Sequence, residues 1–586
     1  MTFLTRIFSR DSHPTSYWLF ILSGLLFFSG CVNLKQLPPA HIVMFNAEGQ
    51  AIDPCSSAEK TTGDASLCDS DRSGILSNEY REFKKDEYEA YLDRIFQSMD
   101  EHFSSAGDKK ILLFVHGGLN TQSGSLDKVI EPIWDGETKE LYQAIREDGY
   151  YPVFINWHSS LSSTYADHLL HVRQGEDLRN DGIFGSLWGY VTSPIYFGLD
   201  AARSVARAPL VLGSFLWNDF RTLPIFSGAN DSDLIARDLF CREKYRDTTL
   251  REKCLQEVDK TLFKKPPTCF SLTPTEPAPV PEFPAVEGPE DNHIPISIGE
   301  DGRTCMEMGD YSVQNLVTYP VKAIATPFID GFGTSAWSNM LRRINLLYHS
   351  DADFHLHADD LWHDENGGIS RLKASGGLSI FMRRFVKYYD DKGIDPTQFE
   401  ITLVGHSMGT IVLNEMIRNF GQVATKKESR ESGLFDNIVY LAAASTVAHY
   451  EQTVLPYLLG TENTQFYNLT LHPVAERRET NVFDLSPRGS LLVWIDSFLS
   501  NPLTHRERTL GRYENFLPAV HNTPEHLRSR IHFKSYRAGE GYLETDPQTH
   551  SDLGKIKFWD PQCWTSKPAS KDIQRFDEKP CYKRSQ

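Results

Sequence analysis

Positive charge is scarce in this sequence. Sixty Lys and Arg stand against 78 Asp and Glu, leaving a formal charge of -18 over 586 residues. That balance argues against general nucleic-acid binding, a basic membrane-binding face or a polyanionic substrate. No internal repeat is visible, so the chain is not built by duplication of a short unit. A long apolar run is missing from the N-terminus as well. The run over 17–28 falls short of the roughly 20 residues that a membrane span needs. Preceded by Arg6 and Arg10, it instead suits the core of a signal peptide.

What is present is enough to bury a large core. Hydrophobic residues make up 40% of the chain and aromatic ones 12%, consistent with more than one lobe. Residues 1–30 are expected to act as a leader, and Phe28-Ser29-Gly30-Cys31 resembles a bacterial lipobox. That resemblance implies lipidation at Cys31 and a body exported to the cell envelope, on the periplasmic side of the outer membrane or the cell surface. Phe28 departs from the usual aliphatic residue, which leaves an uncleaved anchor as the alternative. The other eight cysteines form an even set, which suits an exported chain. Proximity suggests the loops 55–68, 241–254, 269–305 and 563–581, one of the 105 pairings that eight cysteines allow.

Residues 31–75 are polar and turn-rich and are assigned no chemistry. Residues 79–103 are charged with apolar side chains at helical spacing, predicting a surface helix. An apolar run over 110–115 predicts a buried strand and ends in His116-Gly117-Gly118. A helix over 137–147 and a strand over 151–157 follow, the order of a parallel βαβ unit. From 161 to 396 the alternation breaks. This segment holds an apolar, small-residue stretch over 183–217 and a proline-rich linker over 266–295, the latter expected to be extended. Alternation resumes over 397–560, with strands at 401–404, 437–444, 466–471 and 531–536, and a polar tail covers 561–586.

The resumption carries the informative motif. Residues 401–404 form a short apolar strand, and Met408, Ile411, Val412, Met416 and Phe420 follow at helical spacing. Between them lies Gly405-His406-Ser407-Met408-Gly409. A Gly-x-Ser-x-Gly turn between strand and helix is what a nucleophile elbow needs, with glycines where β-carbons would collide. On these residues the chain resembles the α/β-hydrolase superfamily over 76–160 and 397–560. The resemblance implies an α/β fold: a mostly parallel sheet flanked by helices, with 161–396 inserted between the fourth and fifth strands as a cap or, alternatively, a separate domain.

The resemblance also implies site residues. Ser407 is the nucleophile and His550, on a loop beyond the last strand, the general base. The acid should follow the 466–471 strand, where Glu476, Glu479 and Asp484 lie; Glu476 is closest to the strand end and Asp484 is the second choice. The amides of Met408 and Gly118 would form the oxyanion hole. The expected activity is carboxylic-ester hydrolysis on acyl or lipid esters through an acyl-enzyme, without a cofactor or metal, at a membrane reached through the N-terminal anchor. Two rivals stay open. One is a non-catalytic binding lipoprotein with a hydrolase fold. The other is a metal-dependent hydrolase using His355, His357 and Asp359, which partly match a His-x-His-x-Asp-His pattern whose final histidine is replaced by Asp360.

Overall fold

Short runs of apolar and β-branched residues are buried on both faces only when helices cover both sides of a sheet. Lys110–Val115 (β3), Tyr150–Trp157 (β4) and Glu400–His406 (β8) are such runs, buried almost without interruption. The computed structural model describes residues 38–54, 80–105, 109–120, 122–132, 139–173, 175–220, 296–297, 313–349, 376–393, 399–421, 433–480, 486–521, 523–536, 546–564 and 581–583. Cys31, the apolar run before it, six of the paired-cysteine candidates, the proline-rich linker, the His355 cluster and Asp484 lie outside the described residues.

The fold is α/β. The remaining strands of the main sheet are Ile42–Phe45 (β1), Ala51–Ile52 (β2), Ile296–Ser297 (β7), Asn437–Leu441 (β9), Gln465–Thr470 (β10) and Ile531–Ser535 (β11). They assemble in the order β2-β1-β4-β3-β8-β9-β10-β11-β7, and every neighbouring pair is parallel except β1 with β2. Val172–Arg173 (β5) and Glu176–Asp177 (β6) pair antiparallel to each other, apart from this sheet. The βαβ unit expected around 110–157 is present, with β3 and β4 in parallel register from Lys110↔Tyr150 onward.

One stretch read as polar and turn-rich contributes to the core. Ile42, Val43, Met44 and Phe45 are fully or almost fully buried, and β1 runs beside β4. Four residues are too few to show a period, so the composition of the surrounding segment masked them.

The α-helices up to and including the one after β8 are Lys85–Ser105 (α1), Gln122–Ile130 (α2), Leu141–Glu147 (α3), Leu161–Leu170 (α4), Gly182–Phe220 (α5), Val313–Tyr348 (α6), Gly377–Asp391 (α7) and Gly409–Phe420 (α8). Part of the 161–396 segment belongs to the same core as the sheet. Phe381, Phe385 and Tyr389 of α7 are buried, and Phe96 of α1 lies edge-on to Phe385 at 5.7 Å. The Tyr348 hydroxyl at the end of α6 donates to the Val412 carbonyl of α8 at 2.6 Å. Cys563 and Cys581 are disulfide-bonded.

Parallel strands present all their carboxyl ends along one edge of the sheet. The segments 116–120, 407–408, 442–446, 473–479 and 549–555 follow β3, β8, β9, β10 and β11 there. That edge is where open α/β sheets bind ligands.

Candidate active site

The chain must turn from β8 into α8 within two residues, and Ser407 absorbs the turn. Its φ of +53° lies in the left-handed region that a residue with a β-carbon rarely adopts. Such a conformation costs on the order of 1–3 kcal/mol and persists only where the surroundings hold it. Here they do. The Ser407 amide donates to the Leu441 carbonyl at 2.8 Å, and the Ser407 carbonyl accepts from the Ala444 amide at 3.1 Å and the Thr410 hydroxyl at 2.7 Å. All this hydrogen bonding is to the backbone of Ser407. Its Oγ is buried and has no partner among the described residues.

The glycine at the start of α8 lets the elbow press against β3. A β-carbon on Gly409 would lie 2.3 Å from the Val115 carbonyl oxygen and 2.8 Å from that of His116. Backbone cannot yield as a side-chain tip can. Gly409→Ala is therefore expected to destabilise the protein by about 1–3 kcal/mol or more, read as a lower urea midpoint. An unchanged midpoint would mean that α8 does not sit this close to β3.

The loop after β3 is shaped by His116. Its Nδ1 donates to the Gly117 carbonyl at 2.7 Å, and its Nε2 accepts from the Trp157 amide at 3.1 Å. Those two contacts require the neutral ring, and burial pushes its pKa down to about 3. The Asn120 side chain donates to the same Gly117 carbonyl at 2.9 Å, and the Leu119 amide to the Ser159 carbonyl at 2.9 Å. Gly118 is thereby laid on the elbow: a β-carbon there would meet the Met408 Sδ at 2.4 Å. Among the described residues neither the Gly118 nor the Met408 amide donates to another backbone group.

His550 opens a short 3-10 turn, His550–Lys555, and is buried beside the elbow. His406 Nε2 donates to the His550 carbonyl at 3.1 Å, with ring centroids 5.2 Å apart. The Glu479 carboxylate accepts from the His550 amide at 2.8 Å. The main chain of His550 is thus held at both its amide and its carbonyl, while both ring nitrogens are buried without a partner among the described residues. Burial pushes the imidazole pKa down to about 4, and the nearby Lys128 ammonium adds to the effect. The imidazole is therefore neutral across the ordinary pH range, the state a proton acceptor needs.

Glu476, the first-choice acid, is engaged elsewhere. It lies in the helix Pro473–Arg478, with its Oε2 3.4 Å from Arg512 Nε. Arg512 also pairs with Asp496 at 2.9 Å and with Glu514, and Asp496 accepts in turn from Thr509 and Asn515. Burial raises the Glu476 pKa to about 8, partly offset by the Arg512 charge, so at neutral pH it is a protonated group in a structural cluster. Glu479, three residues on and one helical turn further round, is the carboxylate that the fold carries to His550. Burial raises its pKa to about 7, opposed by the bond from the His550 amide.

The structure thus brings Ser407, Met408, Gly118 and His550 to one place and adds His406 and Glu479, which the motif reading left aside. His406 lies inside the Gly-x-Ser-x-Gly motif, but its role depends on a carbonyl 144 residues away, which no local pattern announces. Among the described residues no group of three or more His, Cys, Asp or Glu is placed to hold a metal ion. No protein-family model, curated protein or solved structure matches the chain.

Proposed function

We propose that the chain is a serine hydrolase of the α/β-hydrolase type that cleaves carboxylic esters, acyl or lipid, through an acyl-enzyme on Ser407. One observation carries the reading: a buried serine, strained to φ +53° at the strand-to-helix turn, has an unengaged hydroxyl, and the next-door His406 holds the main chain of His550, whose buried, neutral imidazole is also unengaged. Strain and unpaired buried polar atoms are costly in a group with no task. The sheet's parallel order and the place of the site on its carboxyl edge support the same fold type.

In this mechanism Ser407 Oγ attacks the ester carbonyl as its proton passes to the His550 ring. The tetrahedral oxyanion is met by the Met408 and Gly118 amides, which are free to donate. Collapse breaks the carbon–oxygen bond, and the imidazolium protonates the departing alkoxide. Water then gives a proton to the same imidazole and attacks the acyl carbon; collapse breaks the carbon–Oγ bond, and the imidazolium returns the proton to Ser407 as the carboxylic acid leaves. Glu479 takes the place of Glu476 as the acid that steadies the imidazolium. The lipobox-like Cys31 supports export and a lipid anchor at the cell envelope.

The pH profile tests the assignment. Protonated His550 cannot act as base, so kcat/KM should fall as pH drops through about 4, well below the ordinary 6.5 of an imidazole. Glu479 ionises as pH rises through about 7, and its charge then favours the imidazolium, so a second step upward is expected there. In Glu479→Gln the upper step should vanish and the limb near 4 remain. A profile without a step near 7 in the wild type would remove Glu479 from the triad.

A second reading has one observation in its favour. No hydrogen bond joins Ser407 Oγ, the His550 ring and Glu479, as suits a binding module that keeps the fold without the chemistry. Catalytic hydrogen bonds tighten in the substrate complex, so covalent labelling of the wild type by a fluorophosphonate separates the two: labelling supports the enzyme, and its absence the binding module.

A further inference from the structure

The helix α5 carries an apolar stripe that no described residue covers. Phe184, Trp188, Val191, Ile195 and Leu199 recur every three or four residues, which at 100° per residue places them on one face. Phe184 is 85% exposed, Trp188 60% and Ile195 61%. The opposite face holds Asp200, Ser204 and Val211, all buried. On α6, which packs along α5, Val321, Ile324 and Phe328 are also exposed.

Charge distinguishes this surface from the rest of the molecule. Residues 182–216 contain three charged side chains, Asp200, Arg203 and Arg207, in a chain that is 24% charged. Only Asp200 is buried; the Arg203 and Arg207 side chains are 38% and 32% exposed but reach back toward α6. Arg203 and Arg207 reach the fully buried Asp330 of α6 at 3.9 and 3.0 Å. Asp200 is buried and accepts from Ser335 at 2.7 Å and Tyr165 at 3.0 Å. Lys322 on α6 is buried too. Among the described residues the centre of the outward face carries no charge, although the molecule carries an excess of acidic groups. A protein partner recognised by polar contacts would find nothing to pair with there, whereas hydrocarbon asks for no partner.

We propose that the outer face of α5 and α6 lies on a lipid bilayer, with Phe184, Trp188, Ile195 and Ile324 dipping below the headgroups. Trp188 and Tyr190 near the start of α5 are the aromatic types that settle at the membrane–water boundary. The helix lies along the surface and does not cross it. The stripe from Ile183 to Leu210 extends about 40 Å at 1.5 Å per residue, longer than the roughly 30 Å hydrocarbon layer. Pro194 and Pro209 lie inside the helix, and no helix among the described residues is long and apolar enough to cross a membrane. The inference does not depend on the hydrolase reading, and it places a second contact beside any N-terminal lipid anchor.

The test uses the full chain reconstituted on phosphatidylcholine vesicles whose acyl chains carry bromine, a short-range quencher of tryptophan fluorescence. An N-terminal anchor can keep the protein vesicle-bound without this face, so quenching, and not binding, is the readout. The expected result is a quenched component that disappears in Trp188→Phe and in Phe184→Asp/Ile195→Asp, with the thermal midpoint of each variant unchanged because these side chains are exposed. Vesicle-bound protein whose quenching is the same in wild type and Trp188→Phe would overturn the proposal. So would concentration-dependent dimers in sedimentation that Ile195→Asp dissolves, which would assign the face to a second copy of the chain.

Discussion

Ser407→Ala is expected to lose all covalent labelling by a fluorophosphonate and to drop in kcat by a factor on the order of 10⁶. The fold should not suffer. The hydroxyl removed makes no hydrogen bond, and the bonds that hold the turn come from the backbone of residue 407 and survive the change. A thermal midpoint close to that of the wild type, measured alongside hydrolysis of a nitrophenyl ester series of increasing chain length, keeps loss of chemistry apart from loss of structure. If Ser407→Ala still turned over these esters at the wild-type rate, the acyl-enzyme route would be wrong. An intact fold with unlabelled wild-type protein would favour the binding module.

The second large effect concerns two glutamates three residues apart. Glu479→Ala is expected to lower kcat by about 10³–10⁴-fold, the scale of losing the group that orients a catalytic histidine. Glu476→Gln should leave kcat within about threefold. Its carboxyl is protonated at neutral pH, because burial raises its pKa to about 8, so the amide replaces one neutral group by another of nearly the same shape. Arg512 keeps Asp496 and Glu514 as partners in that variant. The assay is steady-state kinetics on a short-chain nitrophenyl ester at pH 7.5, above the value of about 7 for Glu479 and below that of about 8 for Glu476. The reverse pattern, with Glu476→Gln inactive and Glu479→Ala active, would return the acid to Glu476 and require the 473–479 helix to turn in the working enzyme.

The parts of this molecule that were legible in the sequence are those whose causes are local. The strand before Ser407, the helix after it and the glycine at 409 announce one another within twenty residues, because the turn needs all three together. The βαβ unit at 110–157 is visible for the same reason. β1 was hidden because four apolar residues in a polar segment show no period, and only the neighbouring β4 makes them a strand. The choice between Glu476 and Glu479 was not legible either. Both follow the correct strand, and what separates them is Arg512, 36 positions beyond Glu476, which occupies one carboxylate and leaves the other for His550. Local spacing cannot carry that information. The reach of Arg203 and Arg207 back toward α6 is of the same kind. As sequence they read as ordinary charges on an apolar helix, and only Asp330 on another helix shows that they leave the centre of its outer face bare.

The left-handed backbone at Ser407 has a consequence beyond the reaction itself. The substitution Ser407→Gly would relieve the turn without breaking a hydrogen bond among the described residues, since none depends on the side chain. Under the hydrolase proposal, the serine at this uncomfortable bend is where sturdiness is traded for reactivity.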